Sequence, residues 1–71
     1  MFMSLSQRSR ARHEALGNWR AAAQLVSLRW DRFLRAEPEM RVCAFASYMA
    51  ALDSEEAAAA DLAALVQSAA A

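Results

Sequence analysis

Hydrophobic residues in the first half of this chain recur at alternating intervals of three and four. Leu16, Trp19, Ala23, Val26, Trp30 and Phe33 are spaced 3, 4, 3, 4, 3, the seam of a helix that packs lengthwise on a neighbour. Ala21, Leu25 and Leu28 make a second stripe on another side of the same helix, more apolar surface than one neighbour covers. Glu37-Pro38 stops the pattern, because a residue before proline is pushed out of the α region. The firm part of helix 1 is therefore expected at about 12–36. Ser4 with Gln7 resembles a capping box and Ser9 is another candidate N-cap, but residues 1–11 are read as a basic, flexible arm.

Pro38 suits the first position of a second helix, where its missing N–H has no intrahelical partner to lose. Val42, Phe45, Met49 and Leu52 repeat the 3, 4, 3 spacing and form the expected core stripe of helix 2, about 38–52. The whole run Val42–Leu52 carries no charge. Asp53 followed by Glu56 fits an N-terminal capping arrangement, so a break or kink at Asp53-Ser54 and a third helix at about 54–67 are preferred over one continuous helix, which the strongly helix-forming alanines at 57–60 keep open. Folding the chain about Glu37-Pro38 predicts an all-α, antiparallel helical hairpin over 12–69 as one domain, with room for a third short C-terminal helix. That register brings Trp30 near Ala44 and Phe45. It sets Gly17 near the alanines at 57–60, Arg20 near Asp53 and Glu56, and Arg12 near Asp61.

Composition supports the helices and raises a question of stability. Nineteen of 71 residues are alanine, while three valines and no isoleucine or threonine leave little for strands. Domains below roughly 70–80 residues usually need disulfides, a metal or oligomerisation. One cysteine, Cys43, and one histidine, His13, leave oligomerisation. The expected assembly is a homodimer resembling a four-helix bundle, or a pairing with another small helical protein. Met40, Cys43, Ala50 and Ala51 point away from the helix 2 stripe, and with Leu25 and Leu28 they are the candidate subunit interface.

Charge is formally balanced but uneven. Residues 1–20 hold Arg8, Arg10, Arg12 and Arg20 against Glu14, whereas residues 42–71 hold Asp53, Glu55, Glu56 and Asp61 with no basic residue. The four arginines are the candidate contacts for the alternative reading, a small dimeric regulator that binds nucleic acid. A basic arm leading into a seam is the layout of basic-leucine-zipper proteins, and Asn18 with Ala21 and Ala22 matches the start of their pattern. Leu25 and Val26 stand where that pattern has a small polar residue and an arginine, so the family is not assigned. The hairpin register favours pairing of the arginines with the acidic segment instead.

Catalytic chemistry finds no residues to run on. His13 and Cys43 are single and lie on different helices, short of the convergent ligands that a metal requires. Cys43 sits among apolar neighbours, without the basic partner of a reactive thiolate, and one glycine cannot make a phosphate-cradling loop. No catalytic, metal or cofactor residue is expected. Nor is a membrane span, which takes ~20 apolar residues, or the continuous apolar stretch of a secretory signal. All-arginine basicity and abundant alanine hint at a GC-rich, bacterial coding sequence. The sequence reading is thus a non-enzymatic helical interaction or dimerisation module, a cytoplasmic accessory or adaptor protein.

Overall fold

The computed structural model describes residues 4–70, which form two long helices, α1 (Leu5–Arg35) and α2 (Arg41–Ala70), with a 3₁₀ turn at Pro38–Met40 before α2. No strand occurs among the described residues. At 1.5 Å per residue each helix runs about 45 Å, and the hairpin measures 52 × 16 × 15 Å. Its radius of gyration, 16.1 Å, exceeds the roughly 11 Å of a compact chain of this length.

Each boundary has a local cause. Helix α1 starts at a reciprocal capping box: Gln7 N–H donates to Ser4 Oγ at 3.1 Å, and Ser4 N–H donates to Gln7 Oε1 at 2.9 Å. The arm expected at 1–11 is therefore helical from Leu5 onward, and Met1–Met3 lie outside the described residues. At the other end Ala36 and Glu37 are both extended, ψ 139° and 150°, as Pro38 demands of its predecessor. The N–H of Met40 then donates to the Glu37 carbonyl at 2.8 Å, which starts the turn into α2. Because Glu37 is not helical, its i, i+4 spacing to Arg41 has no structural meaning. The analogous pair within α1 does form, Arg35 Nε to Asp31 Oδ2 at 3.5 Å, and is solvent-exposed.

No break occurs at Asp53-Ser54, and α2 passes through it as one helix to Ala70. Neither glycine nor proline interrupts it, and the best helix former fills positions 57–60. A capping sequence is permissive; here propensity on both sides overrides it.

The two helices meet along a mixed seam in which alanines alternate with larger side chains. In α1 the residues turned inward are Ala15, Trp19, Ala22, Val26, Arg29 and Phe33, and in α2 they are Ala44, Tyr48, Ala51, Glu55, Ala58, Leu62 and Leu65, all buried or half-buried. Both series alternate steps of four and three, so the seam is a true heptad on each side. Among the described residues only Ala15 (8% exposed) and Ala51 (3%) are fully buried.

This seam differs from the expected one. Trp19, Val26 and Phe33 belong to both, but Leu16 and Ala23 are displaced to its flank, and Trp30 is 42% exposed. In α2 the expected stripe is turned outward: Val42 is 82% exposed, Phe45 45% and Met49 43%, with Leu52 half-buried. Trp19, Phe33 and Tyr48 stay half-buried in the seam, while Trp30, Phe45 and Met49 lie at its more exposed edge.

Candidate functional site

One side of the hairpin gathers the aromatic side chains that the seam leaves partly exposed. Near the turn, Trp30 and Phe33 of α1 meet Tyr48 and Phe45 of α2: ring centroids lie 5.0 Å apart for Trp30–Tyr48, 5.4 Å for Phe33–Phe45 and Trp30–Phe33, and 6.1 Å for Phe45–Tyr48. Tilted rings in this range attract beyond their burial, by about 0.5–1.5 kcal/mol per pair. The cluster ties the helices together at the closed end, yet Trp30 and Phe45 keep much of their surface in solvent. Leu34 is one turn beyond Trp30, and Met49 one turn beyond Phe45, and both are exposed.

Toward the open end, the same side becomes an open groove of about 500 Å³ lined by Trp19, Ala59, Leu62, Ala63, Val66 and Gln67. Leu16, Ala23 and Trp30 are spaced by seven along α1, as are Phe45, Leu52 and Ala59 along α2, which makes one apolar strip from turn to open end. We refer to it as the aromatic face.

The opposite side is of another character. Arg29, Arg32, Met40, Cys43, Ala44 and Ser47 border a depression of about 220 Å³ near the turn. A second, of about 160 Å³, is bordered by Ala11, Glu14, Ala15, Asn18, Ala58 and Asp61. The residues expected at a subunit interface separate accordingly. Met40 and Cys43 are exposed on this polar side, as is Ala50, one turn beyond Ala46 and seven residues beyond Cys43. Leu25 and Leu28, each one turn before Arg29 and Arg32, are exposed there too. Ala51 is sealed between the helices and offers no surface.

The expected cross-helix charge pairs do not close. Among the described residues, neither Arg20 with Asp53 or Glu56 nor Arg12 with Asp61 comes within 4 Å. Arg8, Arg10, Arg12 and Arg20 are exposed, but they share no face. Arg8 and Arg12 border a common depression with Leu5 and Ser9, whereas Arg10, two residues from each, faces elsewhere because i, i+2 positions diverge on a helix. Gly17 makes no close approach either, since a Cβ added there would have no heavy atom within 4 Å.

Among the described residues no group of three or more His, Cys, Asp or Glu could hold a metal ion, and no helix is long and apolar enough to cross a membrane. No family model matches the chain, and no curated protein or solved structure matches it. The residue chemistry of the aromatic face is therefore the principal guide to function.

Proposed function

We propose that this chain is a non-enzymatic helical interaction module, an accessory or adaptor protein of the cytoplasm that works by docking its aromatic face, as a homodimer resembling a four-helix bundle. The observation that carries this reading is uncovered area. The chain exposes 5690 Å², whereas a compact monomer of 7.8 kDa exposes about 4400 Å². Part of that surface is apolar: Trp30, Leu34, Phe45, Met49 and Val66 are exposed on the aromatic face, as large apolar side chains are at protein–protein contacts. Among the described residues only two alanines are fully buried, so covering this face adds hydrophobic stabilisation to what the half-buried seam supplies. The exposed thiol of Cys43 fits a reducing compartment.

Nucleic-acid binding through Arg8, Arg10, Arg12 and Arg20 is the competing reading. Four arginines distributed around one helix offer few simultaneous phosphate contacts, and affinity grows with the number of phosphates neutralised.

Sedimentation at micromolar concentration tests the proposal. The wild-type chain is expected to sediment as a dimer, and Met49→Glu or Leu34→Glu, which place a charge on the aromatic face without touching its ring cluster, are expected to weaken association at least tenfold. Leu28→Glu, on the polar side, is expected to leave association intact. A folded wild-type monomer would sink the dimer, and equal loss in all three variants would sink the choice of face.

A further inference from the structure

The polar side of the hairpin is basic at the turn and acidic toward the open end. Arg29 and Arg32 border the depression near the turn, with no carboxylate on its border, whereas Glu14 and Asp61 border the other, with no basic residue. Among the described residues none of these four charges has an ion-pair partner within 4 Å. We propose that this side is a second contact between copies of the chain, laid antiparallel so that the basic depression of each copy covers the acidic depression of the other. It goes beyond the aromatic-face dimer and does not depend on it.

Spacing sets the register. Glu14 and Arg32 are eighteen residues apart on α1, and Cys43 and Asp61 are eighteen apart on α2, which makes five full turns at 3.6 residues per turn. Each pair therefore lies on one line of its helix, and all four residues are exposed. The α1 pair has its midpoint between Ala21 and Leu25, and the α2 pair between Ala50 and Ser54. A twofold axis crossing both helices at these midpoints lays α1 antiparallel on α1 and α2 antiparallel on α2. Arg32 of each copy then meets Glu14 of the other, with Arg29 and Asp61 beside that contact. Leu25 and Leu28, exposed between the two depressions, supply its apolar centre. The other face-to-face arrangement, open ends together, lays α1 on α2. It sets Glu14 over Asp61 and leaves the arginines without a carboxylate. An isologous contact must be self-complementary, and like charges brought together oppose it. Only the antiparallel arrangement is self-complementary in charge.

Exposed ion pairs contribute little each and weaken as salt screens them. Association through this side is therefore expected at higher concentration than through the aromatic face, and at low ionic strength.

A charge-swap cycle followed by sedimentation tests the contact, in a Met49→Glu background that removes the aromatic-face association. In about 0.05 M salt, where screening is weak, the background protein is expected to pair at submillimolar concentration. Arg32→Glu and Glu14→Arg are each expected to weaken this pairing about tenfold, and the two together to restore it to within about threefold. Within one copy the two positions are about 27 Å apart along α1 at 1.5 Å per residue, so restoration comes from contact between copies. Helical circular dichroism checks that each variant is folded. Weakening by both single changes without restoration overturns the antiparallel register. Absence of pairing in the background, or pairing indifferent to all three changes, overturns the contact itself. The aromatic-face dimer is judged separately, by sedimentation of the wild-type chain at micromolar concentration.

Discussion

Gly17 is the residue at which a single atom should improve this protein. It lies within α1, takes no positive φ, and a Cβ there would meet open space. Glycine in a helix interior is destabilising by about 0.5–1 kcal/mol relative to alanine, for reasons of backbone entropy. Gly17→Ala is therefore expected to raise stability by that amount in urea denaturation. A loss of stability would mean that the two helices come closer there than the structure places them. The sequence suggested such an approach because the register sets Gly17 near the alanines at 57–60. The register is nearly right; what fails is the direction of the side chain, since Gly17 is exposed while Ala15, two residues earlier, is buried. Ala51 and Val42 show the same limit. A size-ranked stripe puts valine inside and alanine outside, and the structure reverses them. Hydrophobicity alone does not distinguish a close-packed alanine seam from a bulky one, because both repeat with the same period.

At the scale of the element, most of the chain was legible. Period, proline and capping signals gave two antiparallel helices joined at Glu37-Pro38, and the capping box at Ser4 and Gln7 is present. Helix α1 starts at Leu5, directly after its Ser4 cap, because the capping signal outweighs the basic composition that follows it. At Asp53-Ser54 an N-cap signature competes with uninterrupted helix propensity, and the propensity prevails. These two views of the junction make opposite predictions for proline. At the first position of a new helix, Ser54→Pro would be tolerated. In the interior of a continuous α2 it removes a hydrogen bond and clashes with the carbonyl of Ala50, at about 3 kcal/mol or more. The expected outcome is therefore severe destabilisation, read as a lower urea midpoint and reduced helical circular dichroism. A native-like midpoint would indicate a break after all.

For the whole molecule the question is where stability resides. Along 52 Å of hairpin the helices share a seam in which five alanines alternate with Trp19, Val26, Arg29, Phe33, Tyr48, Glu55, Leu62 and Leu65, and among the described residues just two are fully buried. The candidate face was legible only in part. An excess of apolar surface could be read from the uncharged Val42–Leu52 run, but its location could not. Which stripe remains outside depends on which one the hairpin uses, and that choice is made by backbone approach. If the aromatic face is covered by a second copy, folding and association are one reaction, and the midpoint of thermal unfolding must depend on concentration. A tenfold increase adds about 1.4 kcal/mol to the dimer. Two copies of a chain this size unfold with an entropy of roughly 0.3 kcal/mol/K, so Tm is expected to rise by roughly 5 °C for each tenfold increase in concentration. Scanning calorimetry from 5 to 500 micromolar gives two such decades. A Tm that stays constant across them would locate the stability within the single hairpin, and the aromatic face would then have to be explained by a partner other than itself.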